Sequence, residues 1–420
     1  MLVAAMENDI IEEILLRLPV KELVRCKILS KRWYNFISCC NRSVMVGIFC
    51  TDSSLSAQVS SNQVRFLPTS IEGRRTSMLL KKRDERNDDA EEEVILGEQG
   101  FPLSPPDESL TSLGFGDSGS STHILGSSNG FLLTCLEPLI PMHYFVINPI
   151  NKQWLALPTP NTQCSWVAHG FICHSKPPNP SAFPYFKVVR ALCPGRGVFS
   201  SSIPIEIFSS DQLLIPGWKQ FNVSAPFSFY LHLTGRPAVI SEKGLIYFKA
   251  SIQKQLATSS TPGVVFFDQK RREECCLQLI EFPPKDEEGN TCDCFDMSAG
   301  LILYARHHRE RGQLQIWMLN DKDDSTSEWS LRHNVNFHFT VKNYPNILQG
   351  PMEELFCIEA FHPLNPQVLF LGNFMKKFFY DVENSRLELL CDDAAEGRKS
   401  CYKLFPFTYG LVGRHFFLDC

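Results

Sequence analysis

The sequence predicts a small all-α module of three helices at the N-terminus, followed by a large all-β domain with the pattern of a β-propeller of five to seven blades. Two observations support this. Residues 1–40 hold a strongly apolar run at helical spacing. Across residues 44–420, strand–turn–strand segments recur every ~50–60 residues. We therefore expect two domains, at residues 1–40 and 44–420.

The N-terminal run begins with a helix-capping pattern. Asp9 is a typical N-cap residue, and Glu12 stands three residues later, where its carboxylate can reach back to the cap. Pro19 ends this helix and can open the next, and Ser30 can cap a third. The apolar positions follow helical spacing throughout: Ile10, Ile11, Ile14, Leu15, Leu18, Val20, Leu23, Val24, Ile28, Trp33, Phe36 and Ile37.

These three short helices carry more apolar side chains than so small a unit can bury. A unit below ~40 residues rarely folds alone, because ordering the chain costs roughly 1–2 kcal/mol per residue against limited burial. The module is therefore expected to pack on another surface. The pattern alone does not decide whether that surface belongs to a partner protein or to the chain's own next domain.

The same run resembles the F-box, in Asp9-Ile-Ile-Glu-Glu-Ile-Leu-Leu-Arg-Leu-Pro-Val20, Leu23-Val-Arg-Cys-Lys27 and Leu29-Ser-Lys-Arg-Trp33. The resemblance implies docking on a Skp1-like adaptor, and through it on the cullin and RING subunits of a ubiquitin ligase. Glu7 stands where the family usually has proline, and one lost apolar contact weakens docking by about 1–3 kcal/mol. The implied docking residues are Ile10, Ile11, Ile14, Leu15, Leu18, Pro19, Val20, Leu23, Val24, Ile28 and Trp33.

The rest of the chain consists of short Val-, Ile-, Phe-, Tyr- and Trp-rich runs separated by turn-forming residues, which indicates strands. About four strands fall in each period, as in propeller blades. Closure of the ring is expected to pair a strand from residues 44–66 with the last strands near 402–417, which removes an exposed edge. The clearest hairpins lie at residues 144–157, 205–221, 264–279, 314–331 and 378–390.

This part resembles the plant F-box proteins that carry an associated, kelch-like β-propeller. The matching pieces include Gly126-Ser-Ser-Asn-Gly-Phe-Leu-Leu133, Asn148-Pro-Ile-Asn-Lys-Gln-Trp154 and Ala360-Phe-His-Pro363. One segment interrupts the pattern, at about residues 70–121, where runs of charged residues precede a sequence rich in Pro, Gly and Ser. Such a composition predicts a disordered insertion.

Candidate catalytic and metal sites are weak. Gly126-Ser-Ser128-Asn-Gly130 satisfies the pattern of a hydrolase nucleophile elbow, but a strand follows it instead of a helix, so a structural Asn-Gly turn is favoured. Neither Cys292-x-Cys294 nor the set Cys164, His169, Cys173 and His174 has a closed metal-ligand spacing. We expect no catalytic residue, no cofactor and no resident metal.

Two further interpretations concern aromatic and histidine residues. Trp154, Trp218, Trp317 and Trp329 recur at blade hairpins, where a large ring is expected to fill the space between sheets. His307 and His308 stand among arginines and predict a solvated polar turn.

Composition limits the partners. A net charge of -5 gives no attraction to nucleic acid or to an anionic membrane, and nowhere do eighteen apolar residues run together. Without a basic leader before an apolar stretch, the chain is expected in the cytoplasm, the nucleus or both, with its 16 cysteines as thiols.

The function expected from these features is that of a non-catalytic receptor subunit, which docks on Skp1 and presents an unidentified target protein for ubiquitination. One alternative is a binding adaptor of the same fold that acts outside a ubiquitin ligase. A second is a propeller hydrolase that uses Ser128, or a metal-dependent oxidase that uses the cysteine and histidine positions.

Overall fold

A computed structural model describes the all-β part of the chain. The predicted helical module at residues 1–40, all of its Skp1-docking positions and the predicted insertion at about 70–121 lie outside the described residues. The described ranges are 43–51, 64–68, 122–136, 139–149, 153–174, 185–210, 217–233, 237–241, 243–253, 260–268, 276–284, 291–322, 326–337, 357–372, 376–392 and 403–410.

Every named element in these ranges is a β-strand, and all of the strands pair in antiparallel fashion. In chain order they are β1 (Ser43–Thr51), β2 (Val64–Pro68), β3 (His123–Ser128), β4 (Phe131–Cys135), β5 (Tyr144–Asn148), β6 (Gln153–Ala156), β7 (Val167–Cys173), β8 (Phe186–Leu192), β9 (Ser200–Ser209), β10 (Lys219–Leu231), β11 (Val239–Ile240), β12 (Leu245–Gln253), β13 (Thr261–Asp268), β14 (Gln278–Glu281), β15 (Thr291–Ser298), β16 (Leu301–His308), β17 (Gln313–Lys322), β18 (Thr326–Asn336), β19 (Cys357–His362), β20 (Asn365–Gly372), β21 (Lys376–Asp381), β22 (Arg386–Asp392) and β23 (Lys403–Gly410).

The strands fall into five four-stranded units and one closing sheet. Sheet 1 is β3–β6, sheet 2 is β7–β10, sheet 3 is β11–β14, sheet 4 is β15–β18 and sheet 5 is β19–β22, while the closing sheet has the order β2-β1-β23. Sheets 2 and 3 are joined, because the long strand β10 pairs with β9 near its start and with β12 near its end. The described strands thus supply six units, within the predicted range of five to seven.

The apolar core lies between neighbouring sheets. One buried cluster packs sheet 1 on sheet 2, and others pack sheet 2 on sheet 3, sheet 3 on sheet 4 and sheet 4 on sheet 5. Contacts link β11 to β7, β7 to β3, β3 to β23, β23 to β19 and β19 to β15, so the first strands of the five sheets and the closing strand form one continuous series. A ring of sheets packed face to face about an axis is consistent with a β-propeller.

The predicted closure is confirmed. β1 pairs with β23 from Ser43 opposite Gly410 to Thr51 opposite Lys403, with one register shift between Met45 and Gly47. The first and last described strands therefore share one sheet, and β1, its middle strand, is paired on both sides and exposes no unpaired edge.

The predicted Asn-Gly turn is also confirmed. Asn129 and Gly130 have φ values of 44° and 86°, and Ser128 pairs with Phe131 across the turn. Two successive residues of positive φ match the right-handed twist of a two-residue hairpin, and asparagine and glycine tolerate that conformation best.

An arginine cluster, here called the Arg190 cluster, lies between sheets 1 and 2. The Arg190 side chain is fully buried and forms an ion pair with the equally buried Glu206. Arg190 Nε donates to Tyr144 Oη at 2.9 Å, and the guanidinium lies 5.4 and 5.7 Å from the ring centroids of Tyr144 and Trp218. Arg190 Nη2 donates to the Thr162 carbonyl at 3.1 Å. Each face and edge of the guanidinium thus has a protein partner.

A second arginine cluster, the Arg306 cluster, lies between sheets 3 and 4. Arg306 Nε donates to Tyr304 Oη at 3.2 Å, and the guanidinium lies 5.3 and 5.2 Å from the ring centroids of Tyr304 and Trp317. Its Nη1 and Nη2 donate to the carbonyls of Pro284 and Pro283 at 2.9 and 2.6 Å. Arg306 forms no ion pair with a carboxylate of the described residues.

The two arginines occupy equivalent positions, on the second strand of sheet 2 and of sheet 4. Across the ladder to the third strand, Arg190 faces Glu206 and Arg306 faces Gln315. Gln315 is buried, and its Oε1 has no hydrogen-bond partner within the described part of the chain. The fold therefore repeats the same arrangement, a buried arginine opposite a polar residue on the next strand. That residue is a carboxylate in sheet 2 and an amide in sheet 4.

Two sequence-based interpretations are corrected here. The solvated turn predicted at His307 and His308 is wrong, because both residues end β16 and are buried, next to the buried Arg306. Trp154 does not fill the core, because it lies on the edge strand β6 with 37% of its surface exposed. Trp218 and Trp317 are buried as predicted.

Candidate functional site

A cavity of about 760 Å³ lies where the first strands of the units converge. This volume is in the range of small-molecule sites, and its wall is contributed by every unit of the ring. Each sheet contributes at least one residue to the wall. Examples, in order from sheet 1 to sheet 5 and then the closing sheet, are Ser128, Phe171, Val239, Asp293, Cys357 and Phe405. We call this space the central cavity.

One part of the wall is a polar relay that leads inward from the cavity to the Arg306 cluster. The Lys249 ammonium forms an ion pair with Asp293, and both residues line the central cavity. Tyr304 Oη donates to Asp293 Oδ2 at 3.2 Å while it accepts from Arg306 Nε. Burial alone would raise the pKa of the Asp293 carboxyl, but Lys249 and these hydrogen bonds outweigh it and hold the pKa below its usual range. Asp293 is therefore an anionic group with fixed partners.

His232 lies beside this relay as a neutral side chain. Its Nε2 shares a 2.8 Å hydrogen bond with Ser251 Oγ, and its ring stacks on Tyr230 with 5.2 Å between centroids. Burial, helped by the positive charge of Lys249, lowers the pKa of His232 to about 4. At neutral pH this imidazole can exchange hydrogen bonds with a ligand without adding charge.

A second part of the wall, which we call the thiol cluster, consists of Cys292, Cys357 and Arg309. Cys292 is on β15 and Cys357 begins β19, so the two cysteines come from the first strands of adjacent sheets. Arg309 Nη2 donates to Cys357 Sγ at 2.9 Å, and the Ile358 amide donates to Cys292 Sγ at 3.2 Å. All three named side chains line the central cavity.

A third polar pair completes this side of the wall. Lys377 Nζ donates to Glu359 Oε1 at 3.0 Å, and the Lys377 side chain is 1% exposed against 14% for Glu359. Only Glu359 lines the cavity. The cavity thus offers carboxylate, ammonium, guanidinium, imidazole and thiol groups between apolar patches, an arrangement suited to binding a polar organic group or a side chain of a partner.

The structure does not form the nucleophile elbow around Ser128. The elbow needs a strand, a sharp turn and a helix, whereas Ser128 ends β3 and is followed by a tight turn into β4. Its Oγ accepts a hydrogen bond from the Cys173 amide at 3.0 Å. Ser128 therefore ties β3 to β7.

The candidate metal ligands do not converge either. Cys173 is fully buried in the apolar core between sheets 1 and 2, and His169 shares a 2.9 Å hydrogen bond with Tyr144 Oη. Cys294 is buried in the core between sheets 4 and 5. In the described ranges no three histidine, cysteine or acidic side chains come together as metal ligands.

Sequence reasoning did not identify the cavity-lining residues Lys249, Asp293, Arg309 and Cys357. Their contacts cross between strands that are distant along the chain, so no local spacing indicates them. The only signal in the sequence was the presence of charged residues within otherwise apolar strands. The predicted Skp1-docking residues lie outside the described residues, so they remain predictions.

Comparison with protein families gives two matches. Residues 6–44 match the F-box domain, and residues 108–402 match the family described as F-box protein At3g26010-like, beta-propeller. Among the described residues, none forms a helix with the length and hydropathy that a membrane span requires.

Two curated relatives come from Arabidopsis thaliana. F-box protein At5g03970 is 25% identical over 341 residues, which cover 79% of this chain and 69% of the relative. F-box protein At5g07610 is 25% identical over 362 residues, which cover 81% of this chain and 73% of the relative.

Two solved structures that align with the chain resemble it only distantly. The α-L-arabinanase of Penicillium chrysogenum complexed with arabinobiose aligns with 11% identity and a TM-score of 0.33, over 61% of this chain and 78% of that one. AztD of Citrobacter koseri aligns with 8% identity and a TM-score of 0.31, over 66% and 72%. Likenesses at this level support no conclusion about activity.

Proposed function

Because the chain belongs to the family of F-box proteins with an At3g26010-like β-propeller, we propose that it is a substrate receptor of a Skp1–cullin–F-box ubiquitin ligase. Proteins of this kind are generally non-catalytic adaptors. In this role the F-box docks on a Skp1-like adaptor, the adaptor joins the cullin and RING subunits, and the propeller holds a target protein.

The observation that carries the proposal is the continuity between the F-box match and the closing sheet. The match at residues 6–44 ends just inside β1, and β1 pairs with β23. The segment proposed to bind Skp1 therefore runs directly into the sheet that completes the ring. This supports a receptor, because a receptor must hold its target at a restricted position relative to the adaptor.

The proposed docking face is the apolar stripe of the F-box. Its members share helical spacing and aliphatic or aromatic character, and Glu7 at the usual proline position removes one apolar contact from the stripe. The stripe comprises Ile10, Ile11, Ile14, Leu15, Leu18, Pro19, Val20, Leu23, Val24, Ile28 and Trp33.

The chemistry of this role is proximity. A target lysine that is held near the loaded conjugating enzyme reacts at a raised effective concentration, and the receptor contributes no reacting group. The propeller's part is recognition, for which the mixed charges on the wall of the central cavity supply directional contacts. The role requires residence in the cytoplasm or nucleus, where the ligase subunits act.

Co-purification with a Skp1-like adaptor tests the docking face. The double variant Leu15→Asp plus Leu18→Asp should abolish adaptor binding, because two charges would enter an apolar contact, with an expected loss above 100-fold. The matched control is Glu13→Gln plus Arg17→Gln, which changes two neighbouring positions off the stripe and should retain binding. Unchanged binding by the aspartate variant would overturn the assigned face.

A second role, as a binding adaptor outside a ubiquitin ligase, is favoured by Glu7. A weakened F-box contact could suffice for Skp1 but not for stable assembly with the cullin. Sedimentation of the intact chain with Skp1, cullin and RING subunits separates the two roles. A complex of all four supports the receptor, whereas a complex with Skp1 alone supports the adaptor.

A further inference from the structure

The thiol cluster differs from the buried cysteines of the described region. Cys135 and Cys173 are fully buried in apolar cores, whereas Cys292 and Cys357 are partly exposed on the wall of the central cavity. Small molecules that enter the cavity can therefore reach this pair. Access is the first requirement for a reactive thiol.

The second requirement is proximity of the two sulfurs. The Ile358 amide, next in the chain to Cys357, donates to Cys292 Sγ at 3.2 Å, which places the Cys292 sulfur against the backbone of the neighbouring strand. The two thiols also interact with each other, and this interaction is the largest influence on the pKa of each. The pair thus meets across the boundary between sheets 4 and 5 without a disulfide in this structure.

The third requirement is a thiolate. Arg309 Nη2 donates to Cys357 Sγ at 2.9 Å. The interaction with Cys292 and the positive charge of Arg309 together outweigh burial and lower the pKa of Cys357 to about 6. The pKa of Cys292 is raised, chiefly by that same interaction and by burial. At neutral pH the pair is therefore one thiolate beside one thiol.

We propose that Cys292 and Cys357 form a redox site on the wall of the central cavity, with Cys357 as the thiolate that a hydroperoxide oxidises and Cys292 as the thiol that resolves it into a disulfide. Arg309 acts as the positioning residue for the Cys357 sulfur. The site is independent of the F-box and of the proposed ligase role.

The reaction balances without a further reductant or metal. The Cys357 thiolate attacks one oxygen of the peroxide, the O–O bond breaks, and hydroxide or alkoxide leaves, so that Cys357 becomes a sulfenic acid. The Cys292 sulfur then attacks the sulfenic sulfur, and water leaves with the Cys292 proton. The product is one disulfide between β15 and β19, formed by a two-electron oxidation of the pair.

Oxidation would change the cavity in two ways. The negative charge beside Arg309 disappears, so the guanidinium becomes available to an anionic ligand. The first strands of sheets 4 and 5 also become covalently joined. Binding at the cavity would therefore depend on the thiol redox state.

Peptide mapping tests the proposal on the purified full-length chain. After treatment with hydrogen peroxide and non-reducing tryptic digestion, the peptides at residues 286–306 and 343–376 should appear as one disulfide-linked species that dithiothreitol separates. Cys294 shares the first peptide, so the matched control is Cys294→Ser, which should keep the cross-link. Cys292→Ser should abolish it and leave a Cys357 sulfenic acid that dimedone traps.

The Arg309→Met variant tests the positioning role. A thiol of pKa near 6 is about 90% thiolate at pH 7, against about 3% for an ordinary cysteine, a range of roughly thirtyfold. Because the influence of Cys292 on Cys357 remains in this variant, we expect only part of that range, a reaction about tenfold slower at pH 7. At pH 9.5 the two rates should converge, which a merely structural defect would not produce. Circular dichroism confirms that each variant is folded. Failure to form the cross-link while exposed Cys276 is oxidised at the same rate as Cys357 would overturn the proposal.

Discussion

The Arg190 and Arg306 clusters place the same side chain at equivalent positions between two pairs of sheets, yet they stabilise its charge differently. Arg190 has a buried carboxylate partner in Glu206, whereas Arg306 has two proline carbonyls and reaches the carboxylate of Asp293 only through Tyr304. The first cluster is closed within the core. The second is connected to the wall of the central cavity.

This difference shows that a buried guanidinium does not need a directly bound carboxylate. Carbonyl oxygens, a phenol oxygen and two aromatic faces can satisfy its donors and its charge together. It also shows where the fold can transmit an event at the cavity. A change at Asp293 reaches the Arg306 cluster through one tyrosine, whereas the described contacts of the Arg190 cluster involve no residue of that relay.

The largest expected effect comes from removing the charge of Glu206. Glu206→Gln leaves Arg190 buried without its counter-charge, which should lower the free energy of unfolding by about 3–5 kcal/mol. Replacing both partners, as in Arg190→Met plus Glu206→Leu, should recover most of this loss, because the uncompensated charge is gone. Urea unfolding of the three proteins measures the difference. Equal destabilisation in the single and double variants would contradict the importance of charge pairing.

The reciprocal change should have a smaller effect of the opposite sign. Gln315→Glu gives Arg306 the partner that Arg190 has, in place of an amide whose Oε1 is unpaired within the described residues. The gain in direct charge pairing exceeds the added desolvation only modestly, so we expect stabilisation by about 1 kcal/mol. Thermal unfolding at pH 7 measures it. The control Gln313→Glu, at an exposed end of the same strand face, should change stability little.

The smallest expected effect is a pH dependence that arises from Asp293, on the Arg306 side. The pKa of Asp293 is held below that of an unfolded aspartate, so its stabilising contribution is complete above about pH 5 and is lost as the pH falls through the unfolded and then the folded pKa. Asp293→Asn should therefore lower stability by about 1 kcal/mol or less at pH 7, because the ion pair is partly exposed, and by less at pH 3. Unfolding followed across this range, with Asp296→Asn as control, checks the sign.

The sequence predicted those features of the fold that depend on neighbouring residues. The Asn129-Gly130 turn followed from two residues that tolerate positive φ, and the hairpins followed from alternating apolar runs around polar turns. Closure by β1 and β23 followed from the physical cost of an exposed strand edge. These inferences needed no knowledge of which distant strands meet.

The candidate site could not be predicted in the same way. Cys292 and Cys357 lie close together only because sheets 4 and 5 are neighbours in the ring. The ion pair between Lys249 and Asp293 likewise connects sheet 3 to sheet 4. The charged residues around His307 and His308 predicted a solvent-exposed turn, but Arg306, His307 and His308 are all buried. Tertiary hydrogen bonds can satisfy polar groups that a local pattern places in solvent.

The seam between β1 and β23 bears on how the protein is made. β1 leaves the ribosome long before its partner β23, so the ring cannot be completed until β23 has been synthesised. A premature stop codon shortly before codon 403 would thus deprive β1 of one of its two partner strands and leave an unpaired strand edge, so that loss of β23 alone would damage the whole propeller.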